Sequence, residues 1–162
     1  MATMNAIGTK PTIGSAKEAT QSNQAAFHAR TTSNINNVTG DGTVYTCVFP
    51  ELFDSTGDYN ASNGIFTAPI GGRYFFDTFV YCSDAAGEST SAVITLSSSN
   101  RDFNFSYNYY VLYDRFLSFS SFIDMDVADT CVSKVQFSGG SKVFDISAGA
   151  PNICHFSGYL VC

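Results

Sequence analysis

The sequence predicts an all-β domain, a two-layer sandwich or closed barrel, and three observations carry that expectation. Short segments with a two-residue apolar alternation recur about every 8–14 residues, separated by Gly, Pro, Asn and Asp. No segment sustains the 3.6-residue period of a helix, and no repeat of fixed length is present. The composition agrees: 15 Phe and 9 Tyr stand among 162 residues, while only 14% are charged, well below the roughly one quarter usual in soluble domains.

The elements follow in order. Residues 1–24 form a polar stretch rich in Thr, Ala, Ser, Asn and Gln without periodicity, in which Met4, Ile7 and Ile13 are isolated apolar pegs. Such a segment buries too little apolar surface to offset its own ordering, so it is expected to be an extended arm leading into a domain of residues 25–162. A first strand is expected at 25–30, a loop or hairpin at 34–42, and a strand at 44–49 ended by Pro50.

Residues 59–79 hold the clearest pattern. Asn63-Gly64 suits a tight turn with positive φ, a short strand follows and Pro69 closes it. Gly71-Gly72 supplies a second turn. Beyond it Tyr74, Phe76 and Thr78 point one way and Phe75, Asp77 and Phe79 the other. A strand with large apolar groups on both faces is either central in a two-layer structure or shared between a core and a subunit contact. Further strands are expected at 91–96, 103–113, 116–126, 131–137, 142–146 and 153–162.

Charge and motif content narrow the function classes. The formal net charge of −6 disfavours nucleic acid and anionic membranes, whose binding needs a basic stripe. No apolar run approaches the roughly 20 residues of a membrane span. Residues 1–24 lack the basic start, apolar middle and small-residue cleavage site of a secretory signal. Five cysteines, Cys47, Cys82, Cys131, Cys154 and Cys162, contain no Cys-x-x-Cys pair. Buried free thiols are therefore expected rather than a zinc site, with a Cys47–Cys162 bridge left open.

His28 and His155 fall in the first and last strands, close enough to meet, but two histidines alone make no metal site. Cys154 and His155 are adjacent and so face opposite ways, which removes them as a nucleophile–base pair. Asp124, Asp126 and Asp129 could hold an apical calcium ion; the favoured alternative is two solvent-facing carboxylates and a turn cap. Tyr107, Tyr109, Tyr110 and Tyr113 could stack on sugar rings, although strand packing explains their spacing as well. Sequons occur at Asn37, Asn60 and Asn104.

One constellation is more specific. Phe66-Thr-Ala-Pro69 preceding Gly72-x-Tyr74-x-Phe76, with Tyr59 upstream, resembles the globular head of complement C1q and its relatives in the C1q/tumour-necrosis-factor superfamily. Ala26-Phe27-His28-Ala29-Arg30 resembles the opening strand of that family, Phe156-Ser157-Gly158-Tyr159-Leu160 its closing strand, and residues 124–140 its penultimate core strand. Thr78, where an aromatic is usual, and the absence of Trp are departures in core packing.

The resemblance implies a ten-stranded jelly roll packed as a compact threefold homotrimer, aromatic strands toward the axis, apical loops free to bind, and no catalytic machinery. It makes Tyr59, Phe66, Gly72, Tyr74, Phe76, Phe79, Phe156, Gly158 and Tyr159 the core and trimer residues. No collagen-like stalk with Gly at every third position occurs here, and viruses carry such heads on capsid decorations and fibre tips. The expectation is thus a virion-surface structural protein made in the host cytoplasm, without cofactor and docked by its arm onto a capsid or tail protein. The alternative is a secreted recognition module that binds a host-surface glycan or a protein.

Overall fold

A computed structural model of the chain describes residues 24–39, 41–83, 89–111, 115–139, 143–148 and 154–161, without the side chains of 39, 107–111, 115 and 143. Apart from Gln24, the expected arm with Met4, Ile7 and Ile13 lies outside the described residues. Cys162 and Tyr113 do as well.

Thirteen strands are present among the described residues: β1 (Ala26–Arg30), β2 (Ile35–Thr39), β3 (Val44–Thr46), β4 (Glu51–Asp54), β5 (Tyr59–Asn60), β6 (Ile65–Thr67), β7 (Gly72–Ser83), β8 (Ser89–Ser98), β9 (Asp102–Val111), β10 (Arg115–Met125), β11 (Thr130–Ser138), β12 (Val143–Ile146) and β13 (His155–Leu160). They form two antiparallel sheets. One follows the order β2-β12-β7-β13-β1-β4 with β10 also paired to β7; the other runs β5-β6-β11-β8-β9 with β3 paired to β11. Successive long strands change sheet, from β7 to β8, from β9 to β10 and from β10 to β11, so the sandwich is jelly-roll-like.

The count differs from the expected ten because the chain between 35 and 67 is cut into short pieces. Residues 34–42, expected as loop or hairpin, contain β2, which pairs with β12. The strand expected at 44–49 stops at Thr46, and a new strand, β4, begins directly after Pro50. The cause is a change of sheet: β3 pairs with β11 in one layer and β4 with β1 in the other. Pro50 cannot donate to a ladder, but its carbonyl accepts the Arg30 N–H at 2.9 Å and anchors the crossing.

Residues 59–79 fold as their pattern predicts. Gly64 has φ +74°, and its N–H donates to the Asn60 carbonyl at 2.8 Å. A Cβ there would also lie 2.7 Å from the Cys47 carbonyl oxygen, so only glycine fits. Strand β7 alternates strictly: Tyr74, Phe76, Thr78, Val80 and Cys82 are fully buried, while the residues between them are half-exposed or, at Arg73, exposed.

Between the layers lies an aromatic nucleus. The ring of Phe27 stacks on Tyr59 at 4.8 Å and on Phe66 at 5.0 Å and meets Phe156 edge-on at 4.9 Å; Phe76 meets Phe66 at 5.5 Å. The Tyr59 hydroxyl donates to the Phe49 carbonyl at 2.9 Å, and Tyr74 to Ile70 at 2.8 Å, so neither buries an unsatisfied polar group. Thr78, the departure from the resembled pattern, is buried opposite Ser133 with the two hydroxyl oxygens 2.7 Å apart, and it donates to the His155 carbonyl at 3.2 Å. A polar link between the sheets replaces a ring at that point.

Two substitutions probe this nucleus by urea denaturation. Phe76→Ala should destabilise the domain by about 3–5 kcal/mol through the cavity it leaves. Gly158→Ala should cost about 1–3 kcal/mol, because a Cβ would fall 2.4 Å from Phe76 Cδ1 and 3.0 Å from Phe27 Cε1. An unchanged midpoint for both would contradict the packing described.

Candidate interaction face

Since β7 carries its core residues at even positions, its odd positions build the outer face of the seven-stranded sheet, and strand register decides what surrounds them. Phe122, Phe75, Tyr159 and Ala26 form one cross-strand row; Ser120, Asp77, Ser157, His28 and Phe53 form the next; Ser118, Phe79, His155 and Arg30 the third; Phe116 and Tyr81 the last. Two aromatic groups thus flank a polar belt. Phe75 contacts Phe122 at 5.1 Å and Tyr159 at 5.6 Å on one side, and Phe116 stacks on Tyr81 at 4.8 Å on the other.

The rings form a continuous array across the sheet: Phe53 on His28, His28 on His155 at 5.5 Å, His155 on Phe79 at 6.0 Å, and Phe79 on Phe116 at 6.0 Å. Phe116, Phe122, Phe53 and Tyr159 expose 54%, 57%, 51% and 44% of their surface. Isolated exposed apolar residues are ordinary, but a contiguous aromatic field on one sheet is not. Toward β4 the face dips into a groove lined by Gln24, His28, Phe53, Ser157 and Tyr159 among others.

The belt carries the charge. His155 Nε2 donates to Asp77 Oδ2 at 2.7 Å. Burial, then the neighbouring His155 and the Arg30 guanidinium, push the His28 imidazole below its ordinary value of 6.5, against the opposing pull of Asp77. At the sheet's end Arg73 pairs with Asp124 at 2.9 Å, both well exposed.

The residues singled out in the sequence divide by layer. Tyr59, Phe66, Tyr74, Phe76, Phe156 and Gly158 are buried inside one chain, and Gly72 opens β7; Phe79 and Tyr159 lie on the outer face, where His28 and His155 also stand. Phe53, Tyr81, Phe116 and Phe122 complete that face. The signal for the last two was the alternation Phe116-x-Ser118-x-Ser120-x-Phe122 in a strand paired with β7, whereas Phe53 was hidden by the unforeseen β4.

Asp124, Asp126 and Asp129 do not converge. Asp124 is taken by Arg73, while Asp129 accepts from the Asp126 N–H first of all, and from the Ser99 hydroxyl and the Asn100 amide, which hold its carboxyl below the usual range. Among the described residues no group of three His, Cys, Asp or Glu could hold a metal ion. Tyr107, Tyr109 and Tyr110 belong to β9, with side chains outside the described residues.

Cys47, Cys82, Cys131 and Cys154 are buried free thiols. Burial pushes Cys47 up to about 12 and raises the other three, the opposite of what a nucleophile requires.

No family model and no curated protein matches the chain, whereas solved structures do. The globular domain of zebrafish complement 1qA protein superposes with a TM-score of 0.54 at 16% identity, over 85% of this chain and 98% of that one. Murine APRIL superposes at 0.61 with 11% identity, over 86% and 100%. Eiger TNF from S. frugiperda superposes at 0.55 with 10% identity, over 86% and 92%. The fold is the C1q/TNF-like jelly roll. At such identities the likeness concerns the fold alone, which is the fold that the sequence resemblance implied.

Millimolar calcium should leave the melting temperature within about 1 °C of its value in EDTA, since a ligand that does not bind adds no stability. A rise of several degrees would mean that the acidic residues gather around an ion after all.

Proposed function

We propose that the chain is a non-enzymatic structural module that assembles as a homotrimer through the outer face of its seven-stranded sheet. The observation that carries this reading is the aromatic field of Phe75, Phe79, Tyr81, Phe116, Phe122 and Tyr159, three members of which, Phe116, Phe122 and Tyr159, stay about half-exposed in the single chain together with Phe53. Covering a ring removes apolar area from water at about 25 cal/mol per Å², a driving force the isolated chain leaves unused. The likeness to C1q and TNF globular domains supports the same arrangement.

A cyclic contact suits the surfaces. Strands β9 and β10 end the two different sheets and run side by side at one edge of the sandwich, with Phe103 and Phe119 half-buried between the layers. An edge and a face are two unlike patches, so an edge-on-face contact is heterologous: it makes no twofold pair, and it closes into a ring of three where each copy is turned by a third of a circle.

The finer reading is a virion structural protein, a capsid decoration or a fibre or tail tip. Residues 1–24 dock it to a capsid or tail protein, and the head faces solvent. A protein that binds only the assembled shell stabilises it by mass action, about 4 kcal/mol at a thousandfold excess over Kd.

Sedimentation velocity at neutral pH should give a species of three chains. Phe116→Asp combined with Phe122→Asp should yield a folded monomer, because a carboxylate buried without a partner is strongly disfavoured; a persistent trimer would overturn the assignment of the face. Removal of residues 1–24 should leave the trimer intact and abolish binding to particles, and retained binding would contradict the docking role.

A further inference from the structure

The polar belt has no place in a surface built only to exclude water. Two imidazoles sit inside the aromatic array, His28 between Phe53 and His155, and His155 between His28 and Phe79. Both belong to strands whose outward residues would be covered by a neighbouring copy. On the reading of this face as the contact between copies, we infer that His28 and His155 make the assembly pH-sensitive, associated at neutral pH and released on mild acidification.

The argument is a charge count over the strands that meet at the belt. Strand β1 contributes His28 and Arg30, β13 contributes His155 and Tyr159, and β7 contributes Asp77. On β4, the Asp54 carboxylate accepts the N–H groups of Thr56, Gly57 and Tyr59, and the charge of Glu51 acts on Tyr59. Arg73 of β7 is paired with Asp124 of β10 at the sheet's end, and the other outward residues described on β10 are Phe116, Ser118, Ser120 and Phe122.

The belt therefore has one carboxylate, Asp77, facing one permanent cation and two titratable rings. With both imidazoles neutral the group balances at zero; with both protonated it carries +2 per copy, and a trimer would bury three such groups. Histidine is the side chain whose ordinary titration falls in this range. Asp77 already bonds His155, so it can offset one imidazolium but not both, and His28 has the His155 ring at 5.5 Å and feels the Arg30 guanidinium more strongly than the Asp77 carboxylate.

The direction follows from linkage. A group that resists protonation when covered binds fewer protons in the assembly than in the free chain. At neutral pH neither state holds the His28 proton and assembly is unaffected. As pH falls through the His28 value of the free chain, which burial and the neighbouring His155 and Arg30 already set below 6.5, the free chain gains protons that the covered face refuses, and each refused proton weakens association by up to about tenfold per pH unit.

The test is sedimentation of the full chain at pH 7.5, 6.5, 5.5 and 5.0, with circular dichroism to follow the fold. The association constant should fall by at least about tenfold between pH 7.5 and 5.0 while the fold is kept, and the combined variant His28→Gln and His155→Gln should lose most of that dependence. A wild-type trimer equally tight at both ends would overturn the inference and leave the trimer standing. A monomer already at pH 7.5 would overturn both. A combined variant with the full acid response would assign it to other groups and overturn the role of the two histidines.

Independently of any variant, calorimetric dissociation at pH 6 in two buffers of different ionisation enthalpy should show proton uptake. No uptake would also contradict the inference.

Discussion

Strand β7 imposes the constraint on which the rest of the molecule depends: it carries bulky apolar residues on both of its faces, and a single sandwich can bury only one. The inner set, Tyr74, Phe76 and Val80, is fully buried, with Phe76 packed against Phe27, Phe66 and Phe156. The outer set, Phe75, Phe79 and Tyr81, is covered in part by its own neighbours on β10 and β13. Those neighbours then become the exposed layer. One chain thus transfers the problem outward without solving it, and the trimer we propose would remove the rings from water.

Polar groups set the specificity of both layers. Inside, the Thr78–Ser133 pair ties the two sheets at a fixed height, since a hydroxyl left alone there would bear the cost of desolvation. Outside, the Asp77–His155 bond and His28 interrupt the aromatic field. An all-aromatic face could slide on its partner; in the proposed contact a belt with one carboxylate and two imidazoles would restrict register and would link association to protonation. The same chemistry that would make the contact selective would make it releasable.

Much of this was legible in the sequence where period-two alternation was long. Strands β7, β8, β10 and β11 lie close to the segments marked by their alternation, and Asn63-Gly64 marked its own turn. The resemblance placed the opening and closing strands, and the two histidines were foreseen in strands that prove adjacent. Elements without alternation were not readable: β2 reads Ile-Asn-Asn-Val-Thr and β4 Glu-Leu-Phe-Asp, neither with a two-residue apolar period, and Pro50 looked like an end when it is a crossing between layers. Core and face residues were also pooled, because a motif such as Gly72-x-Tyr74-x-Phe76 identifies the buried side of a strand and is silent about which rings of neighbouring strands complete the other. Register supplied that, as with Phe122 opposite Phe75 and Phe116 opposite Tyr81.

The central claim is that the outer face of the seven-stranded sheet is the contact between copies. An experimental structure of the assembled full chain at neutral pH tests it most directly. The account predicts three chains about a common axis with Phe75, Phe79, Phe116, Phe122 and Tyr159 covered by a neighbouring copy. An assembly that leaves those rings open to solvent and joins its chains through the six-stranded sheet would contradict it.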